Sequence, residues 1–310
     1  MKLGRRGVLL GLVCMFFVLS FYAPSSYTAV GKSKAVGKSK FVEYAVSIPN
    51  QGHDIPGILS VPERRPHQKV PAVLLLHGLG GNKNEIGNLF QRMSQTLAQQ
   101  GYASLRIDFA GSGDSQQPFV EHNLDDSVLD SQKALQFLKG HPQIDHSRIG
   151  ILGYSQGGRV SQIVSARDKQ VKALATWSSA ASNGIGDFEP FFKYADEAHK
   201  NGSVKVDLFG RILEFGYKWF DSIENSRAMD EIAHFQGPLL AIGGEKDTVV
   251  PPVRARELIK NAGSYHATLR IIKDANHGFN VLDSEDKLNA DQSISKRLIK
   301  ITSQWFVNNL

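Results

Sequence analysis

Strand-length apolar runs alternating with longer amphipathic stretches place this chain in the α/β class, with a mostly parallel twisted sheet and helices on both faces. Three observations carry that prediction. Apolar runs recur at 73–76, 103–107, 149–152, 171–177, 238–242 and 268–272, and Val73-Leu74-Leu75-Leu76 lacks polar alternation, as a strand covered on both faces does. Stretches with helical spacing lie between or beyond them, at 84–100, 128–138, 159–166 and 294–310. A Gly-x-Ser-x-Gly turn, Gly153-Tyr154-Ser155-Gln156-Gly157, joins one strand to the helix after it.

The chain begins with a positive stretch containing Lys2, Arg5 and Arg6, followed by a nearly continuous apolar run over 7–23. That order reads as an export signal at 1–25, with Ala23-Pro24-Ser25 as a small-x-small cleavage site, or as an uncleaved membrane anchor. Both point to an exported protein, periplasmic or secreted, or one held to the membrane by this segment. Residues 29–40 repeat Ala-Val-Gly-Lys-Ser-Lys twice and have no face to bury, so 26–40 is expected to be a solvated basic linker. Seven Lys and Arg residues and no acid fall within 1–40, so a formal net charge of +6 leaves −1 for the rest. A nucleic-acid binder carries its basic patch on the folded domain, and that class is set aside. The one cysteine, Cys14, lies in the leader, so the domain has no disulfide, thiolate metal site or cysteine nucleophile.

The domain is expected to span 41–310. Its first two strands, at 41–48 and 55–61, read as an antiparallel pair joined by the polar residues 50–54, after which Pro62, Pro66 and Pro71 break the chain. The strand at 73–76 follows, then a helix with a stripe of Ile86, Leu89, Phe90, Met93 and Leu97 that Gly101 ends. The remaining strands and helices alternate to the closing helix at 294–310. In such sheets, sites lie beyond the carboxyl ends of the strands.

Three polar groups sit there. Ser155 follows 149–152, Asp247 follows 238–242, and His277 follows 268–272. Ser, Asp, His is the chain order that this elbow requires. A serine hydroxyl needs a neutral imidazole to take its proton, and a carboxylate to fix the tautomer and stabilise the imidazolium. Two backbone N–H groups would form an oxyanion hole: Gln156, after the nucleophile, and Leu79, in His77-Gly78-Leu79-Gly80-Gly81 after the strand at 73–76. Each choice has a competitor. The elbow by itself fits an ordinary glycine-rich loop with a structural serine, and Glu245 competes with Asp247. His77 is expected to brace the oxyanion loop, and Asp274 to shape the loop of His277. The turn Asp108-Phe109-Ala110-Gly111-Ser112-Gly113-Asp114-Ser115 lacks the lysine and spacing of a phosphate loop and reads as a structural turn. No side chains have metal-ligand spacing, and no cofactor is expected.

These motifs resemble the α/β-hydrolase superfamily, over about residues 41–310, through residues 77–80, 108–115, 153–158, 243–251 and 274–279. Within it the chain resembles bacterial carboxylesterases of the cinnamoyl/feruloyl-esterase and dienelactone-hydrolase-like branches. The resemblance implies an α/β-hydrolase fold with a short cap insertion, and a serine carboxylester hydrolase acting on a small-molecule ester. About sixty residues separate 177 from 238, so the cap is expected at about 182–235. Nine aromatics fall within 188–220, against about three expected from composition; they either glue the cap to the body or line an apolar or aromatic acyl pocket. A hairpin turning near Gly210 and a short helix are expected within it. Two other functions share the motifs: a serine peptidase, and a catalytically silent binding protein with this fold. The oligomeric state is not legible.

Overall fold

The structure is a computed structural model describing residues 30–36, 39–63 and 68–310. The expected signal or anchor at 1–25 lies outside the described residues.

In chain order the first strands are β1 (Val30–Val36), β2 (Ser39–Asn50), β3 (His53–Pro62) and β4 (Val70–Leu76). Helix α1 (Leu89–Gln99), β5 (Ala103–Ile107), α2 (Leu124–Gly140), β6 (Ile144–Tyr154), α3 (Gln156–Arg167) and β7 (Val171–Trp177) follow. A cap comes next, with α4 (Ala195–Asn201), β8 (Ser203–Leu208), β9 (Arg211–Gly216), α5 (Tyr217–Asn225) and α6 (Ala228–Glu231). The chain closes with β10 (Leu239–Gly244), α7 (Val253–Asn261), β11 (Ala267–Ile272) and α8 (Ser293–Asn309). Among the described residues, nine strands form one sheet in the order β1-β2-β3-β5-β4-β6-β7-β10-β11. Strands β1, β2 and β3 are antiparallel, and every pairing from β5 to β11 is parallel.

Period-two geometry sends alternate residues of β4 to the two helix layers. Leu74 and Leu76 join the core that contains Leu135 of α2 and Val160 of α3. Val73 and Leu75 join the core that contains Phe90 and Met93 of α1 and Leu298 and Phe306 of α8. Both faces are therefore dry, which is why this strand has no polar position.

Three local features depart from the sequence expectation. Val30–Val36, placed in the linker, pairs as an edge strand with β2, from Val30 opposite Ala45 to Val36 opposite Ser39. An edge strand needs backbone partners on one side only, so an apolar face is a poor guide to it. Helix α1 starts five residues late because Gly87 and Asn88 adopt left-handed φ of 54° and 59°. Helix α2 starts four residues early, because the Asn123 side chain accepts from the Asp126 N–H at 2.9 Å as an N-cap.

The cap inserts between β7 and β10. Buried Arg159 on α3 holds both its ends: Nη2 donates to Ser182 Oγ at 2.6 Å, and Nη1 to the Gly184 carbonyl at 2.6 Å and Ser226 Oγ at 3.0 Å. Its Nε donates to the Ala180 carbonyl at 2.8 Å, and its guanidinium lies 4.7 Å from the Phe188 ring centroid. Burial pulls its pKa down to about 9, partly offset by Asp187. Asp187 itself pairs with Arg254 of α7 at 2.8 Å.

The aromatic excess is mostly the cap's own core. Trp219 lies at its centre, with ring centroids of Phe215, Phe220 and Phe188 at 4.9, 5.0 and 5.5 Å in edge-on contacts. The hairpin turns at Phe209 and Gly210, and Phe209 points into solvent.

Candidate active site

Ser155 stands alone between the last residue of β6 and the first of α3, with φ 53° and ψ −118°, a region side-chain-bearing residues rarely occupy. The surroundings over-determine it. Its N–H donates to the Trp177 carbonyl at 3.0 Å, and its carbonyl accepts from Ala180 and Gly158 at 3.1 and 3.0 Å. Glycine is required two residues on: a β-carbon at Gly157 would lie 2.1 Å from the Leu76 carbonyl oxygen and 2.3 Å from that of His77. That approach brings the end of β4 against the elbow.

His277 bridges Ser155 and Asp247. Its Nε2 is 3.1 Å from Ser155 Oγ, and its Nδ1 is 2.9 and 3.1 Å from the two Asp247 oxygens. Asp247 is buried, and its Oδ1 also accepts from Val249 and Val250 N–H at 3.0 and 2.9 Å. The fixed carboxylate holds the ring through Nδ1 and leaves Nε2 facing the hydroxyl. Glu245 points elsewhere and accepts from the Asp274 N–H at 3.0 Å. Asp274 has φ 59° and pairs with Lys246, shaping the turn before His277. Tyr154 donates to the His277 carbonyl at 3.2 Å, and its ring lies 5.2 Å from the imidazole.

The loop after β4 is a closed turn, with Gly81 N–H donating to the Gly78 carbonyl at 3.0 Å and Gly80 at φ 65°. His77 braces it. Its Nδ1–H donates to the Gly78 carbonyl at 2.7 Å, and its Nε2 accepts from Phe109 N–H at 3.1 Å. Both bonds need the neutral ring, and burial lowers its pKa. The turn borders Ser155, since a β-carbon on Gly78 would stand 3.2 Å from Ser155 Cβ. Leu79 follows in that turn, and Gln156 is the first residue of α3, where helix N–H groups have no intrahelical acceptor. The 108–115 turn is structural: Asp108 accepts from Lys83 N–H at 2.6 Å and Asp114 N–H at 2.9 Å, and pairs with the Lys83 ammonium.

Two buried groups escaped the sequence reading. Gln156 uses its whole side chain: Oε1 accepts from Trp219 Nε1 at 3.0 Å, and Nε2 donates to His122 Nε2 at 2.8 Å. His122 donates in turn from Nδ1 to the Ala110 carbonyl at 3.1 Å, and burial lowers its pKa to about 4. Glu85 lies against the turn after β4, beside Gly81. Burial raises its pKa to about 8 against a bond from the Gly78 backbone, and its Oε2 has no partner. Neither was legible, because the partners come from other elements. Among the described residues, no group of three or more His, Cys, Asp or Glu side chains is placed to hold a metal ion.

The sheet order, the strained serine at a strand-to-helix elbow and the cap after β7 define an α/β hydrolase. The solved structure of Est1E from Butyrivibrio proteoclasticus with ferulic acid bound has the same fold, with a TM-score of 0.69 at 19% identity, covering 86% of this chain and 99% of that one. The dienelactone hydrolase family model matches residues 55–310, and the chain belongs to that family. Among curated relatives, the uncharacterized peptidase YuxL of Bacillus subtilis is 26% identical over 87% of this chain and 41% of its own length. The serine hydrolase BPHL of Mus musculus is 25% identical over 68% of this chain and 74% of its own. The chain spans 31%, 41% and 42% of the lengths of three curated relatives.

Proposed function

We propose that this chain is a serine hydrolase that cleaves carboxylic esters through an acyl-enzyme. The observation that carries the reading is His277, which reaches Ser155 Oγ at 3.1 Å with one ring nitrogen and Asp247 at 2.9 Å with the other. In the first half-reaction His277 Nε2 takes the Ser155 proton as Oγ attacks the ester carbonyl, and the imidazolium is stabilised by Asp247. The tetrahedral oxyanion accepts from Leu79 and Gln156 N–H. As the intermediate collapses, His277 returns the proton to the leaving alcohol. Water, activated by the same imidazole, then releases the acid. The serine hydrolase BPHL and the family match support this chemistry.

The acyl group is apolar or aromatic. Half-buried Leu79, Leu213, Phe119 and Phe191 on the cap and its facing loops support that class, as does the ferulic acid held by Est1E. The protein is exported, or anchored through its N-terminal segment, and cell fractionation tests this.

Labelling with a fluorophosphonate probe, abolished by Ser155→Ala, tests the nucleophile; an unlabelled intact protein would make it a silent binding protein. Rates on matched esters and amides separate an esterase from a peptidase, the activity in YuxL's name. Graded acyl and hydroxycinnamate esters test the acyl group, and acetyl esters reacting as fast as bulky apolar ones would reject it.

A further inference from the structure

The cap reaches the two elements beside Ser155 that carry the Gln156 and Leu79 N–H groups, by two separate routes. On one side, Trp219 of α5 donates from Nε1 to Gln156 Oε1 at 3.0 Å. The other end of that amide is held by His122, itself fixed on the Ala110 carbonyl. This relay has one consistent set of proton positions: Ala110 accepts from Nδ1–H, Nε2 accepts from the amide, and the amide oxygen accepts from the indole. Gln156 is thus held by its side chain, while its N–H, at the first position of α3, has no intrahelical acceptor.

On the other side, Arg211 of β9 donates from Nη1 to the Gly80 carbonyl at 2.8 Å. Leu208 and Leu213 close over the same residue, where a β-carbon would meet their methyl groups at 2.6 and 3.0 Å. Gly80 follows Leu79 in the turn. One contiguous cap segment, β8-β9-α5, therefore grips both donor-bearing elements.

We propose that this cap segment is a working part of the oxyanion hole, with Trp219 and Arg211 as positioning residues that set the places of the Gln156 and Leu79 N–H groups. The proposal rests on Ser155 being the nucleophile. Its physical basis is that a donor a few tenths of an ångström out of place loses much of what it gives a developing oxyanion, while costing the neutral ester little. A cap that only walled the substrate pocket would act on ground state and transition state alike, and its variants would move KM.

The test uses Trp219→Phe, which keeps an aromatic ring in the cap core, and Arg211→Met, which keeps the aliphatic stem of an exposed side chain. Each is made in the full chain and assayed on an ester that the wild type hydrolyses. A trifluoromethyl ketone with the same acyl group, whose hemiketal anion needs both donors, is measured alongside. Each variant is expected to lower kcat by about five- to twenty-fold, the size of one weakened hydrogen bond, with KM within about two-fold. The ketone should weaken by the same factor, and Arg211→Lys, which keeps a donor for the Gly80 carbonyl, should recover most of the loss.

Unchanged kcat in both variants overturns the proposal. So does a loss carried by KM with ketone binding unaffected, or an Arg211→Lys variant no better than Arg211→Met. Should Trp219→Phe not fold, as thermal unfolding would show, the Arg211 pair decides. A wild type that takes no fluorophosphonate at Ser155 removes the nucleophile and this proposal together, whereas a labelled wild type with fully active variants removes only this proposal.

Discussion

The phenol of Tyr154 donates a hydrogen bond of 3.2 Å to the backbone carbonyl of His277, so the residue before the elbow serine also holds the loop of the imidazole that faces it. Burial, with Glu85 and Asp247 nearby, keeps this phenol protonated well above its ordinary range. Tyr154→Phe removes the bond and leaves the ring against His277. We expect kcat/KM to fall by about three- to ten-fold, the loss of one net hydrogen bond, with a similar pH profile. Steady-state kinetics across pH check this, and full activity would show that the loop of His277 holds without it.

The Asp247 carboxylate fixes the tautomer of His277 while accepting two backbone N–H groups. Asp247→Asn keeps the shape but presents an amide that the same tautomer cannot use, and kcat should fall by about 10³-fold or more. Glu245→Gln, in the competing position, should change kcat less than about three-fold, since that side chain bonds the Asp274 backbone instead. Parallel assays separate the two acids.

Stability should depend on pH through two buried groups with opposite signs. His122, lowered from 6.5 to about 4, leaves the unfolded chain with the extra proton between those values, so stability rises with pH there. Glu85, raised from 4.5 to about 8, keeps a proton in the fold that the unfolded chain has lost, so stability falls across that window. The two oppose each other from 4.5 to 6.5, and of these two only Glu85 acts from 6.5 to 8. Glu85→Gln should remove its share of the slope and stabilise the protein at pH 8 by on the order of a few kcal/mol. Denaturant unfolding of both proteins at pH 6.5 and 8 measures the difference, and an equal slope in both would reject a neutral Glu85.

Arg159 gives its hydrogen bonds to the Ala180 and Gly184 carbonyls and to the Ser182 and Ser226 hydroxyls, joining the elbow helix to both ends of the cap. Arg159→Met would bury the two carbonyls without these donors, at about 3 kcal/mol or more. The variant should unfold at lower temperature, and limited proteolysis should cut first at the cap ends. An unchanged melting temperature would contradict this role.

Local chemistry made much of this legible. The strand at 103–107 and that at 171–177 have the bounds the sequence pattern predicts, because strands in the middle of a covered sheet are mostly apolar. Buried Ser104 and Arg106 of the first are satisfied by the Ser94 hydroxyl and the Glu43 carboxylate. Edge strand β1 was hidden because its Lys and Ser residues resemble a solvated linker, and only pairing with β2 distinguishes the two. The late start of α1 was hidden for a related reason. Its helical stripe begins at Ile86, but Gly87 turns left-handed where a β-carbon would strike Val281, nearly two hundred residues on.

The chain sequence by itself determined the fold class, the elbow, and the candidates Ser155, Asp247 and His277, since each follows its strand and the three roles demand a hydroxyl, a carboxylate and an imidazole. Only the tertiary structure decided that Asp247 and not Glu245 faces His277, because the path of the loop after β10 sets which of two carboxylates two positions apart points inward. It alone decided that Trp219 and Arg211 reach the elements bearing Gln156 and Leu79. Those bonds join residues 63 and 131 positions apart, and spacing in sequence says nothing about donors and acceptors that meet only when a cap folds back over a sheet.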